Sequence, residues 1–108
     1  MTIKILNAFS LQMLDLNMHQ NITVTPIAVD EVKDLLTTFD SISAVGHQDT
    51  ANVFTDVLGM NIPMNRISVS LGFDDKAIVG QFVGGRLPKG AIELPEGFEI
   101  KWVLIEII

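Results

Sequence analysis

A histidine at the predicted start of a helix is the first residue in this sequence that suggests chemistry. His47 follows the small-residue loop 43–46, and apolar residues spaced three and four apart from Ala51 to Leu58 predict a helix that begins near it. The first turn of a helix has backbone N–H groups without intrahelical partners, and together with the helix dipole they attract anions, above all phosphate. An imidazole beside a phosphate is suited to acid–base catalysis. The same pattern also fits a polar residue at a helix end that takes no part in any reaction.

The glycine-bounded loop of residues 84–90, Gly-Gly-Arg-Leu-Pro-Lys-Gly, is the second such feature. Glycines let backbone N–H groups approach an anion closely, and the guanidinium of Arg86 can donate two parallel hydrogen bonds to a phosphate. Arg66 and Arg86 are the two arginines of the chain, and both fall at the ends of predicted strands. An ordinary connection with a solvated arginine has the same composition, so both interpretations stay open.

The elements that must position these residues can be predicted from apolar periodicity. It indicates strands over 2–8, 22–25, 65–71, 76–83 and 99–108, a short strand within 40–45, and helices over 30–39 and from about 47 to 58. Asp30 is a good N-cap for the first helix, and Gly59 is a usual terminator for the second. Pro26 places its strand at or near a sheet edge, whereas 76–83 is apolar on both faces and suits a central strand. We therefore predict a single α/β domain over residues 1–108, with a mixed sheet of five or six strands flanked by helices.

Two small polar side chains, Asn7 and Ser10, follow the first predicted strand. Loops at the carboxyl ends of strands are where α/β sheets usually bind ligands. Both residue types also form turns by bonding to the nearby backbone, so turn formation is the competing explanation.

Composition excludes several classes of function. The chain has 108 residues, a net charge of −6 and no cysteine. This charge argues against non-specific binding to long nucleic acid, which requires many Lys and Arg contacts to phosphate, but not against a small anionic ligand. Without cysteine there is no disulfide framework or thiolate metal site, and neither a membrane span nor a signal peptide is evident. We expect an intracellular protein that uses neither metal nor cofactor.

Among the reactions considered, metal-free phosphodiester cleavage fits the residues best. A serine hydrolase lacks its nucleophile-elbow motif here, and the acidic residues are too dispersed for a glycosidase. RNA supplies its own nucleophile, the 2′-hydroxyl, so a protein needs only to hold the phosphate, stabilise its charge and protonate the leaving 5′-oxygen. His47 would be that acid.

Four segments together resemble the anti-CRISPR type III ring nuclease family, which includes archaeal virus proteins and the bacterial YddF-like proteins of integrative elements. The segments are Leu-Asn-Ala-Phe-Ser-Leu at 6–11, Ser-Ala-Val-Gly-His-Gln-Asp-Thr-Ala at 43–51, Pro-Met-Asn-Arg-Ile-Ser-Val at 63–69 and Gly-Gly-Arg-Leu-Pro at 84–88. The resemblance covers nearly the whole chain in the same order, and the four motifs together are far more specific than any one of them.

The resemblance implies an α/β fold with a mixed sheet flanked by helices, and a homodimer in the cytoplasm of the host cell. It also implies binding of cyclic tetra-adenylate, the messenger of type III CRISPR defence, across the dimer interface. Cleavage without metal would give linear di-adenylate with a 2′,3′-cyclic phosphate. The general acid of the family matches His47, and its phosphate-binding arginine matches Arg86. Further ligand contacts match Asn7, Ser10, Thr50, Arg66 and Gln81.

One departure from the family pattern keeps a second function open. Viral members often carry a glutamate soon after the arginine loop, whereas here Pro88 is followed by Lys89 and Gly90. The alternative is a non-catalytic module that sequesters a cyclic nucleotide or binds a host protein. A duplex-DNA-binding regulator is disfavoured by the negative charge and by the lack of a basic helix.

Overall fold

A five-stranded mixed sheet with two α-helices organises the protein. The computed structural model describes residues 2–108, with β1 (Thr2–Leu6), a 3-10 turn (Leu11–Met13), β2 (Ile22–Ile27), α1 (Val29–Thr38), β3 (Asp40–Ser43), α2 (Gln48–Leu58), β4 (Lys76–Val83) and β5 (Glu99–Ile107). The predicted α/β class with a mixed sheet is confirmed. Within residues 2–108, no helix has both the length and the apolar character needed to cross a membrane.

The strand order places the ends of three parallel strands together. The order is β2-β5-β4-β1-β3, with β1 parallel to both β3 and β4, and β5 antiparallel to both β4 and β2. The residues that follow β1, β3 and β4 therefore meet at one edge of the sheet, the usual location of ligand sites in such folds. β4 is interior and β2, which contains Pro26, is an edge strand, as predicted.

The helices pack on one face of the sheet around a tight aromatic contact. Phe54 of α2 and Trp102 of β5 are both buried, with ring centroids 4.8 Å apart. Gly80 of β4 lies beneath both rings: a Cβ there would be 2.6 Å from Phe54 Cζ and 2.7 Å from Trp102 Cζ3. The absence of a side chain at Gly80 thus sets how closely α2 approaches the sheet.

Loops, not helices, cover the opposite face of the sheet. Leu14 and Leu71 are buried there against residues of β1, β4 and β5, and Val69 packs beside them. The predicted strand over 65–71 is therefore wrong, because this segment lies over the sheet instead of joining it. An isolated parallel bridge between Val45 and Met64 lies just before this segment and outside the named strands, next to the hydrogen bond from Asn65 N to Val45 O. Leu71 is buried and Val69 is partly buried by packing against the sheet without pairing in it, whereas Ile67, which belongs to the same alternation, is exposed.

The start of α1 also differs from the prediction. Ala28, not Asp30, is the N-cap, and the backbone N–H of Ala28 donates to Glu31 Oε1 over 3.1 Å. The glutamate three residues along supplies the capping interaction, which leaves Asp30 in the first turn, where a negative charge favours the helix dipole.

Candidate functional site

His47 is the N-cap residue of α2. Its backbone is extended, with φ −132° and ψ 134°, and its carbonyl accepts the first helical hydrogen bond from Ala51 N at 3.0 Å. The imidazole makes no capping hydrogen bond and is exposed, so its nitrogens remain available to a ligand. The helix that was predicted to begin near His47 is confirmed, with the ring one residue before the first turn.

Side chains from neighbouring segments brace the loop that carries His47. Ser43 Oγ donates to Pro63 O at 2.6 Å, and Asn65 Nδ2 donates to Ser43 O at 2.8 Å. On the other side, Gly46 N donates to Asn7 Oδ1 at 3.4 Å. The residues that precede the imidazole are thus tied both to the end of β1 and to the segment after α2.

A cavity of about 720 Å³ opens beside His47. Three elements form it: the first turn of α2, the carboxyl end of β4 and the glycine loop that follows β4. Its lining residues are His47, Asp49, Thr50, Gln81, Phe82, Gly85, Arg86 and Leu87. An imidazole, a guanidinium, a hydroxyl and an amide therefore face one space, a set of groups that suits a phosphate ester with polar substituents.

The glycines after β4 allow the chain to turn Arg86 towards this cavity. Gly84 and Gly85 have φ of 119° and 134°, values that side-chain-bearing residues rarely adopt. A Cβ on Gly84 would also lie 2.9 Å from Gly97 O, where the two ends of the β4–β5 connection meet. Further along, Gly90 N donates to Asp49 Oδ2 at 3.0 Å, so the glycine loop is joined to α2.

The cation of the site, Arg86, is not neutralised by an ion pair. Within residues 2–108 the ion pairs are Lys76–Glu106 and Lys101–Glu99, and neither involves Arg86 or Asp49. Arg86 is exposed, so its forked donors are free to bind a phosphate that enters the cavity. Local donors of this kind are compatible with the net charge of −6, because that charge is spread over the whole chain.

The predicted site residues fall into two groups. His47, Thr50, Gln81 and Arg86 line the cavity, whereas Asn7 bonds to Gly46 behind it. Arg66 packs beside Gly46, with its Cγ 3.7 Å from where a Cβ of that glycine would lie. It does not end a strand, because the predicted 65–71 strand does not exist.

Ser10, like Asn7 and Arg66, does not line the cavity. Its Oγ accepts from Gln12 N at 3.2 Å and caps the short turn Leu11–Met13, which is the turn-forming role that competed with ligand binding. The roles of the seven residues in binding or catalysis stay predictions.

Four lining residues were not among the predicted site residues: Gly85 and Leu87 belong to the glycine loop noted in the sequence, whereas Asp49 and Phe82 were given no role. Asp49 is an acidic residue in the first turn of α2, a position where acids are common and usually interact only with the helix dipole. The sequence predicts Phe82 to be an ordinary strand residue, and it packs on Phe54, with ring centroids 5.7 Å apart. Neither position carries a local pattern that separates a cavity residue from a structural one.

Comparison with known proteins identifies the family to which this chain belongs. The model of the STIV B116-like family matches residues 3–103. The chain belongs to this family. Uncharacterized protein 26 of Sulfolobus islandicus filamentous virus (isolate Iceland/Hveragerdi) is 38% identical over 66 residues, which are 61% of this chain and 55% of that protein. The chain thus spans about half the length of that relative.

A solved structure shares the fold. B116 of Sulfolobus turreted icosahedral virus superposes with a TM-score of 0.78 at 23% identity, over 97% of this chain and 98% of that one. At this level of identity the likeness supports the architecture alone.

Proposed function

We propose that this chain is a metal-independent ring nuclease that cleaves cyclic tetra-adenylate to linear di-adenylate with a 2′,3′-cyclic phosphate. The observation that carries the proposal is the convergence of His47, Arg86 and the first turn of α2 on one cavity of about 720 Å³. The biological consequence would be removal of the type III CRISPR messenger, which would favour a virus or mobile element in its host. The four sequence motifs support the same reaction.

The proposed reaction uses groups that the cavity and the substrate already contain. The ribose 2′-oxygen attacks the adjacent phosphorus, its proton passes to solvent, and the bond from phosphorus to the 5′-oxygen breaks. Imidazolium at His47 donates the proton that the departing 5′-oxygen needs. The forked donors of Arg86 and the free N–H groups of α2 stabilise the charge that grows on the non-bridging oxygens. Thr50 and Gln81 offer hydrogen bonds to the sugar and base.

A homodimer is part of the proposal because the substrate is a ring. A cyclic tetranucleotide can have two-fold symmetry, and an isologous dimer presents two copies of the same cavity to it. The loop-covered face of the sheet has apolar side chains exposed at both edges: Val24 of β2 is 57% exposed and Ile42 of β3 is 44% exposed. In-register pairing places both on that face, and a second copy of the chain would cover them.

Incubation of the protein with cyclic tetra-adenylate in EDTA, followed by chromatography, tests the proposal. We expect linear di-adenylate with a cyclic phosphate from the wild type. His47→Ala should retain binding and lose about 10²–10⁴-fold in rate, the usual contribution of a general acid. His19→Ala is the matched control, because His19 is exposed and does not line the cavity. Equal rates for the two histidine variants would remove His47 from the mechanism.

A sequestering module is the second candidate, and one observation favours it. Asp49 is the carboxylate among the cavity-lining residues, and its Oδ2 is already engaged by Gly90 N. A carboxylate that assists the imidazole, as the glutamate of viral members is thought to do, therefore has no evident counterpart at this cavity. Binding of the ring by the wild type without any product would favour this module over the nuclease.

A further inference from the structure

One hydrogen bond connects the element that carries His47 with the loop that carries Arg86. Asp49 is the second residue of α2, two residues after His47, and its Oδ2 accepts from the backbone N–H of Gly90 at 3.0 Å. Gly90 lies four residues after Arg86 in the same loop. The bond therefore joins the helix that begins beside the proposed acid to the loop that carries the proposed phosphate-binding cation.

The connection between β4 and β5 has few other polar ties to the body of the protein. Residues 84–98 contain no helix or strand, and their other hydrogen bonds, Ala91 N to Pro88 O and Phe98 N to Pro95 O, are internal. Within residues 2–108, the Gly90–Asp49 bond is the one hydrogen bond that ties this loop to a different element. Gly90 has φ of +81°, so the backbone orientation that directs its N–H to Asp49 favours glycine.

From this geometry we infer that Asp49 is a positioning residue, which holds the glycine loop so that Arg86 meets the phosphate bound beside His47. The identity of the ligand in this inference rests on the proposed function. The hydrogen bond between Gly90 and Asp49 does not depend on that proposal. Positioning matters because a displacement of about 1 Å at a catalytic group can cost about 10²-fold in rate. The role requires an acceptor oxygen at residue 49, not a negative charge, since a backbone N–H is neutral.

The distinction between acceptor and charge separates this role from two ordinary ones. If Asp49 acted only on the helix dipole, Asn would fail to replace it, and substitution of Asp49 would not change hydrogen exchange in the glycine loop. If its charge opposed the bound phosphate, removal of the carboxylate in any form would tighten binding. A positioning role predicts instead that Asp49→Ala weakens binding, whereas Asp49→Asn retains an acceptor and preserves or improves it.

The first measurement is hydrogen exchange of the ligand-free protein, with peptides that cover residues 84–98. We expect faster exchange at Gly90 in Asp49→Ala and near-native exchange in Asp49→Asn. Asp30→Ala is the matched control, because Asp30 is also an acid in the first turn of a helix but is in α1, away from the glycine loop. Unchanged exchange in Asp49→Ala would overturn the inference before any ligand is added.

The second measurement is a double-mutant cycle on binding of cyclic tetra-adenylate, in the His47→Ala background so that the ring is not consumed. Asp49→Ala should weaken binding about 10-fold when Arg86 is present and less than about 2-fold when Arg86 is Ala, since the two act as a unit. Additive losses would show that Asp49 does not act through Arg86. If no variant binds the ring, the proposed function fails together with this role, while the exchange data still decide whether the tie orders the loop.

Discussion

Gly80→Ala is the most direct test of how α2 is seated on the sheet. The added Cβ would lie 2.6 Å and 3.0 Å from two atoms of the Phe54 ring and 2.7 Å from Trp102 Cζ3. Separations below 3 Å are well inside the van der Waals contact of two carbons. Neither ring can yield easily, because Phe54 is 0% exposed and Trp102 is 4% exposed. The rings or the backbone of β4 must therefore shift.

The expected loss of stability follows from this overlap. Inserting a methyl group into a well-packed core typically costs about 1–3 kcal/mol. Replacing glycine by alanine also restricts the unfolded chain, which stabilises the folded state by about 0.4–1 kcal/mol where the backbone allows. Gly72→Ala provides the matched control for that second effect: the nearest atom to its Cβ would be Asp75 Oδ2 at an ordinary 3.7 Å. We expect Gly80→Ala to be less stable than Gly72→Ala by about 2 kcal/mol.

Urea unfolding followed by far-UV circular dichroism measures this difference at one fixed protein concentration. With a urea dependence of about 1–3 kcal/mol per molar, 2 kcal/mol corresponds to a shift of about 1 M between the two midpoints. Circular dichroism is preferable to fluorescence because the single tryptophan, Trp102, is itself in the perturbed contact. Midpoints that agree within about 0.2 M would refute the argument that Gly80 sets the distance between α2 and the sheet.

Two further predictions concern the end of α2 and the glycine loop. Thr55→Val should lower the free energy of unfolding by about 1–3 kcal/mol, because Thr55 Oγ1 accepts from Ile62 N at 2.9 Å and donates to Ile62 O at 3.2 Å. Urea unfolding measures this loss, and Thr37→Val, at an exposed site on α1, should change stability by less than about 0.5 kcal/mol. Arg86→Lys should recover only part of the affinity for cyclic tetra-adenylate that Arg86→Ala loses, since lysine keeps the charge but not the fork. Titration of each variant with cyclic tetra-adenylate measures this affinity. An Arg86→Lys affinity equal to that of the wild type would contradict bidentate binding by Arg86.

Local pattern predicted the elements well wherever periodicity and burial coincide. The alternating 22–25 segment, the 76–83 segment with apolar residues on both faces, and the helix that ends at Gly59 are confirmed as β2, β4 and α2. The same reasoning failed at 65–71, whose alternation is as regular as that of any strand. Periodicity reports which side chains are buried, and Val69 and Leu71 are packed against the sheet without pairing in it.

The candidate site was predictable only in part, because local sequence patterns mark some of its residues and not others. His47 and Arg86 stand out because a residue type coincides with a helix start or a glycine loop. Asp49 and Phe82 do not, because an acid in a first turn and an aromatic in a strand are both ordinary. Their place at the cavity depends on which loop comes to lie over α2.

The sequence by itself determined the class of fold, the approximate positions of the five strands and two α-helices, and the two motifs that carry imidazole and guanidinium. These depend on interactions between residues close in the chain: helical spacing, capping and the φ angles that glycine permits. Only the tertiary structure decided that the motifs share a cavity, and that Gly90 reaches Asp49 across 41 positions of the chain. Such contacts depend on the sheet order and on where the β4–β5 connection lies, and both arise from the packing of the whole domain.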